Sequence, residues 1–160
     1  MLSFVEQKIV DADTLAFKLA QWRFKQQKIV FTNGCFDLLH YGHIHYLAAA
    51  RALGDKLIIG LNSEASVQRL KGKHRPIQDD TSRKHILAAF FFVDAVIEFS
   101  EDTPYSLIEK IQPDILVKGG DWIADKIVGS DIVLARGGLV KSLPFQEGYS
   151  TTRIEEKIRD

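Results

Sequence analysis

The chain has 160 residues, 46% hydrophobic and 26% charged, with 21 Lys+Arg against 21 Asp+Glu. That length and hydrophobicity suit one globular domain that buries about 68–70% of its unfolded surface, and they exclude a disordered tail protein. A net charge of zero argues against a general polyanion binder, no apolar run approaches the about 18 residues of a membrane span, and the single cysteine, Cys35, excludes an intrachain disulfide framework or a multi-thiolate metal site. Met1 to Asp11 shows no apolar signal region, so a cytoplasmic location is the expectation.

The apolar positions Leu15, Ala16, Leu19, Ala20 and Phe24 predict a helix over Asp13–Gln26, capped by Asp11 or Asp13. Residues 1–27 read as a helical lead-in and 28–158 as the core of a single domain over 1–160. Lys28–Gly34 is a short β-branched run ended by Asn-Gly. Gly42–Leu53 favours helix, with Gly54 as its expected C-cap. Leu57–Ser63 reads as a second buried strand, followed by a short helix over Ser63–Leu70 and a basic loop over Lys71–Asp79. Asp80–Phe92 is helical and Asp94–Phe99 a strand. Ala88 to Val96, with three consecutive Phe, fits a buried helix-to-strand join or a homodimer surface. Thr103-Pro104 opens a helix with Pro at its first position, running to Ile111 and stopped by Pro113. Asp114–Gly120 is a fourth strand, Asp131–Arg136 is ambiguous, Leu139–Leu143 is the last strand, and Ser150 caps a final helix to about Arg159. Apolar strands alternating with amphipathic helices predict an α/β, Rossmann-like fold: a five-stranded parallel sheet with helices on both faces. Ligands then bind beyond the carboxyl ends of the strands.

The first strand ends in TNGCFDLLHYGHIHYL (Thr32 to Leu47). Asn33-Gly34 turns the chain and lets backbone approach a ligand. His40 and His43 fall at a helix start, where unpaired N–H groups and a partial positive charge favour phosphate. A histidine at a strand end is also commonly structural or solvated, and His40, His43 and His45 could hold a metal, although neighbours on one short segment make a poor tetrahedral cage. Arg69, Lys71, Lys73, His74 and Arg75 form a local basic excess that suits either a solvated loop or a loop closing over phosphates, with Gly72 as hinge. Gly119-Gly120 after the fourth strand is a turn or a flat contact for a nucleoside, Asp121 could bind ribose or base, and Trp122 is a stacking surface or a packing residue. Ser150-Thr151-Thr152 is an N-cap and, compatibly, an anion site. Cys35 reads as a packing residue.

T-N-G-C-F-D-L-L-H-Y-G-H resembles the H-x-G-H signature of the nucleotidyltransferase superfamily. Arg69-Leu70-Lys71-Gly72 with Arg75-Pro76, Val117-Lys118-Gly119-Gly120-Asp121, and Glu147-Gly148-Tyr149-Ser150-Thr151-Thr152 resemble, in order, segments of its heptose 1-phosphate adenylyltransferase branch. The resemblance covers about Lys28 to Ile158. It implies transfer of AMP from ATP, with Mg²⁺, to D-glycero-β-D-manno-heptose 1-phosphate, giving ADP-heptose and pyrophosphate for the lipopolysaccharide core. It also implies a stand-alone form served by a separate heptose 7-phosphate kinase. On this reading His40 and His43 stabilise the transition state at the α-phosphate, and Lys71 and Arg83 contact phosphates. Thr32, Asn33, Gly34, Cys35 and Phe36, then Lys118, Gly119, Gly120 and Asp121, then Ser150, Thr151 and Thr152, hold the nucleotide. No residue is assigned as a metal ligand, with Asp37 the sole candidate for indirect help. One departure stands out: relatives carry Glu two residues before the Arg that matches Arg83, where this chain has Thr81. A cytidylyltransferase acting on glycerol 3-phosphate would share the histidines, and a noncatalytic nucleotide-binding module is the rival outside catalysis.

Overall fold

A computed structural model describes residues 1–159. Five strands form one parallel sheet: β1 (Ile29–Gly34), β2 (Lys56–Asn62), β3 (Ala95–Phe99), β4 (Ile115–Gly119) and β5 (Leu139–Leu143), in the order β3-β2-β1-β4-β5. The helices are α1 (Leu2–Glu6), α2 (Ala12–Phe24), α3 (Tyr41–Arg51), α4 (Glu64–Lys71), α5 (Asp80–Ala89), α6 (Tyr105–Ile111), α7 (Ser130–Ala135) and α8 (Thr151–Arg159), with a 3₁₀ turn at Ala124–Lys126. The expected sheet is therefore present, buried on both faces as a helix-covered parallel sheet requires.

Alternation along the strands divides the core in two. Phe31 and Leu116 face α2 and α6 with Leu15, Leu19, Leu107 and Ile108. Val30 and Val117 face α3 and α5 with Tyr46, Leu47 and Leu87. Many of these side chains are fully buried, and each contributes about 1.5–3 kcal/mol by leaving water.

The chain order reverses between β1 and β4, which makes their ends the topological switch point. The pairing there is short. β1 and β2 stay in register from Ile29↔Lys56 to Gly34↔Leu61, whereas β1 and β4 pair only at Val30↔Ile115 and Phe31↔Leu116. Beyond those residues the two strands part and open a crevice.

Several boundaries differ from expectation. α3 ends at Arg51 with Ala52 as its cap, so Gly54 is not the C-cap. Gly54 is needed for close approach, since a Cβ there would lie 2.7 Å from Val30 Cγ2 and 2.9 Å from the Lys28 carbonyl. Pro104 is the N-cap of α6 rather than its first residue, and Gln112, left-handed at φ 46°, ends the helix before Pro113. The ambiguous Asp131–Arg136 stretch is helical. The lead-in does more than cover a face: Val10 N–H donates to the Val96 carbonyl at 2.9 Å and Val96 N–H to the Lys8 carbonyl at 2.7 Å. These bonds protect the edge of β3. Phe90 and Phe92 pack against the core, while Phe91 stays 91% exposed. Among the described residues no helix is long and apolar enough to cross a membrane.

Candidate active site

The first turn of α3 builds the centre of the crevice. His40 is the N-cap in extended conformation, with φ −142° and ψ 173°, and its side chain makes no cap hydrogen bond. The backbone N–H groups of Tyr41 and Gly42 therefore lack helical partners, as at any helix start. The imidazoles of His40 and His43 lie with centroids 4.0 Å apart, and the Phe36 ring meets His43 edge-on at 5.6 Å. Both Nδ1 atoms are buried with no protein partner. Burial lowers the pKa of His40. Burial, then His40, then Lys71 push that of His43 down to about 4. The pair is neutral at neutral pH and keeps hydrogen-bonding capacity unused. Gly42 permits the arrangement, because a Cβ there would lie 3.0 Å from His40 Cε1 and Nδ1 and 3.2 Å from Tyr149 Cβ.

Beside His43 the strand ends form a small cavity of about 170 Å³, lined by Asn33, Gly34, Cys35, Phe36, His43, Lys71, Lys118, Gly119 and Thr151 among others. Most of the expected nucleotide-binding residues thus meet at one place. Phe36 holds φ 44°, turning the chain under Gly34. Thr32 does not reach the cavity. It is fully buried, and its hydroxyl is paired with the Tyr46 hydroxyl, whose pKa burial raises to about 12. Thr32 is a prop for α3, and Tyr46, which sequence reasoning missed, is the partner that fixes it.

Arg83 also departs from expectation. Its side chain is fully buried; Nη1 donates to the carbonyls of Cys35 at 2.6 Å and Asn62 at 2.9 Å, and Nη2 pairs with Asp80. It braces the turn after β1 from behind instead of facing the cavity. Asp80 supplies, three residues earlier, the carboxylate that Thr81 cannot. Asp37 is likewise committed: it accepts from the backbone N–H of Ile77 (2.8 Å) and Gln78 (2.9 Å) and pairs with Arg75 at 3.2 Å. With Arg75 also bound to Glu155 of α8, this network ties the basic loop to the last helix. Arg69 pairs with Asp102. Of the basic cluster, Lys71 alone lines the cavity. His45 turns to the surface beside Tyr41, and among the described residues no three His, Cys, Asp or Glu side chains gather as metal ligands.

At the end of β4, burial lowers the pKa of Lys118. Gly119 and Gly120 carry the Phe145 ring: Cβ atoms there would lie 2.8 and 2.9 Å from it. Phe145 had no signal in sequence, being a lone aromatic in a loop. Trp122 is 53% exposed, its indole N–H donating to the Gly119 carbonyl at 3.0 Å, so it is a surface wall and not a core residue. Asp121 is exposed and lines none of these cavities. At α8, Ser150 Oγ accepts from the Arg153 N–H at 3.1 Å, the expected cap, and Thr151 lines the cavity. Thr152 is exposed. A cleft of about 570 Å³ continues past His40 between Tyr41, Tyr149, Ser150, Arg153 and Lys157. A larger cavity, about 870 Å³, lies elsewhere, between α2, β3 and α6. It is mainly apolar and holds no histidine.

Residues 31–157 match the cytidylyltransferase-like family. The chain belongs to that family. It is a nucleotidyltransferase, and the cavity beside the two histidines is its candidate active site. It is 54% identical over 153 residues to the bifunctional protein HldE of Citrifermentans bemidjiense, covering 96% of this chain and 31% of the relative. It is 51% identical over 156 residues to HldE of Rhodopseudomonas palustris, covering 97% and 32%. The chain thus spans about a third of the length of these relatives. A lipopolysaccharide core biosynthesis protein from Thermoplasma volcanium superposes with a TM-score of 0.60 at 31% identity, covering 78% of this chain and 99% of that one. A pantoate-β-alanine ligase from Francisella tularensis shares the fold, with a TM-score of 0.57 at 16% identity over 94% of this chain and 76% of that one.

Proposed function

We propose that this nucleotidyltransferase moves AMP from ATP onto D-glycero-β-D-manno-heptose 1-phosphate, releasing pyrophosphate and forming ADP-heptose for the lipopolysaccharide core. The observation that carries the reading is the neutral, half-buried His40–His43 pair with unpartnered ring nitrogens at a helix N-terminus, His43 in one cavity with Lys71 and Thr151 and His40 on the neighbouring cleft. The choice of acceptor rests on the resemblance of the Arg69–Gly72, Val117–Asp121 and Glu147–Thr152 segments. It also rests on similarity to the HldE proteins and to the Thermoplasma lipopolysaccharide core biosynthesis protein.

An acceptor phosphate is already ionised near neutral pH, its second pKa being about 6, so no strong base is required. One of its oxygens attacks the α-phosphorus of ATP. The bond from that phosphorus to the bridging oxygen breaks, and pyrophosphate departs with the electron pair. The work of the site is then positioning and charge stabilisation. His40 and His43 donate hydrogen bonds to the α-phosphate and the leaving group. The N–H groups of Tyr41 and Gly42 and the ammonium of Lys71 hold phosphate oxygens, and Thr151 opens the helix over them. Mg²⁺ would accompany ATP and would supply neutralisation of the phosphate charge. The residues fit an ion carried on the phosphates with its own waters, since Asp37 already has three donors. The reaction belongs in the cytoplasm with its ATP, and a kinase must precede it to supply the phosphorylated sugar.

The test is pyrophosphate release with Mg²⁺, ATP or CTP, and heptose 1-phosphate or glycerol 3-phosphate. Release only with ATP and heptose 1-phosphate is expected. Release with CTP and glycerol 3-phosphate would overturn the base and acceptor while keeping the chemistry. His40→Ala should cut turnover at least ~100-fold and leave the affinity for ATP within a few-fold, as a transition-state contact requires.

A further inference from the structure

Helix α2 is apolar on two opposite sides. Leu15, Leu19 and Trp22 are buried in the core with Phe31 and Phe99. Phe17, Ala20 and Phe24 fall at i, i+3 and i+7 on the side turned away from that core, as a period of about 3.6 residues dictates. All three are exposed, Phe17 at 64% and Phe24 at 90%. Two phenyl rings about 10 Å apart along one helix face form a stripe where a solvated helix carries polar and charged residues. The stripe has no part in the site described above, since α2 precedes the matched residues 31–157 and covers the opposite sheet face from α3. The charges of this segment are sorted by end. Asp11 and Asp13 stand at the start of α2, and Lys25 and Lys28 follow its last residue. Asp11 accepts from the Thr14 N–H at 2.8 Å, but among the described residues Asp13, Lys25 and Lys28 have no ion-pair partner.

We propose that this stripe is a homodimer surface, covered by α2 of a second copy of the chain running antiparallel to it. A two-fold interface must be self-complementary, and α2 is so in two respects. Antiparallel pairing about an axis beside Ala20 lays each Phe17 against the partner's Phe24, with the small Ala20 side chain allowing close approach at the centre. The same pairing sets the Asp13 end of each helix over the Lys25–Lys28 end of the other, so unlike charges meet twice, and it aligns the two helix dipoles favourably. A parallel pairing would set Asp13 against Asp13 and Lys25 against Lys25. A helix of 13 residues is about 20 Å long, so the contact falls at the small end of specific interfaces and the dimer forms at concentrations on the order of micromolar.

Sedimentation equilibrium of the purified full chain at low salt, over about 1–200 µM, tests this. Wild type should pass from monomer to dimer across that range. Phe17→Ser and Phe24→Ser change exposed side chains, so the fold should hold, which circular dichroism checks, and together they should weaken dimerisation at least ~10-fold. Asp13→Lys alone, and Lys25→Glu with Lys28→Glu, should each weaken it ~5-fold or more. All three charge changes in one chain exchange the signs of both ends and should return the dimer to within about 2-fold of wild type. A wild-type chain that stays monomeric throughout overturns the proposal. A dimer that the two phenylalanine changes leave intact places the contact elsewhere and overturns it as well. Failure of the combined charge exchange to restore association overturns the antiparallel pairing, since only that alignment brings the two ends together.

Discussion

The neutral state of His43 has a consequence for folding that can be measured without any substrate. Its pKa is held at about 4, by burial first and then by His40 and Lys71, against about 6.5 in an unfolded chain. Between these values the unfolded chain binds more protons than the folded one, so the folded state loses stability as pH falls through that window. Integrated from about pH 7.5 to about pH 5, the loss comes to ~2 kcal/mol, and solvent reaching the partly exposed ring reduces it to ~1 kcal/mol. Urea denaturation of wild type and His43→Gln at the two pH values isolates this contribution, because every other titrating group is common to both. Wild type should lose ~1 kcal/mol more than the variant on acidification. Equal losses, or a larger loss in the variant, would refute a desolvated neutral imidazole and with it the proposed uncharged donor pair.

Gly42→Ala would press a Cβ against His40 at 3.0 Å and displace the ring by a few tenths of an ångström. Turnover should fall ~10-fold or more while melting temperature changes little, because transfer depends on donor placement. Arg83→Met leaves the Cys35 and Asn62 carbonyls and Asp80 without their donor. It should cost ~3 kcal/mol in chemical denaturation, and an unchanged midpoint would contradict the bracing role. Asp37→Asn and Glu155→Gln act on one network through Arg75, so a double-mutant cycle on stability should show a coupling of at least ~0.5 kcal/mol, and simple additivity would break the link.

The elements that the sequence disclosed are those with strong local periodicity. The runs Ile29–Thr32 and Leu57–Leu61 are apolar because both faces of each strand are covered, and alternation with helices then forces a parallel sheet. The histidine pair was legible because a motif records it at fixed spacing next to a turn and a helix start. What escaped depends on contacts distant in sequence. Asp37 reads as a loop carboxylate until Ile77 and Gln78, some forty residues on, donate their N–H groups to it. Arg83 reads as a phosphate contact until its donors are seen on the Cys35 and Asn62 carbonyls. The i, i+3 spacing of Asp80 and Arg83 was the one local hint of that pairing. Phe145 has no periodic context at all, and its place on Gly119-Gly120 follows from the path of the β5–α8 loop. Gly54 has an ambiguous signal, since a glycine after a helix can serve a cap or a close approach, and only the position of Val30 decides between them.

Isotope tracing tests the central claim most directly. The protein would be incubated with Mg²⁺, heptose 1-phosphate and ATP labelled with ³²P at either the α or the γ position, and the products separated. Adenylyl transfer puts the α label in a sugar nucleotide and the γ label wholly in pyrophosphate. A γ label in the sugar product, with ADP released, would show phosphoryl transfer instead and would contradict the account.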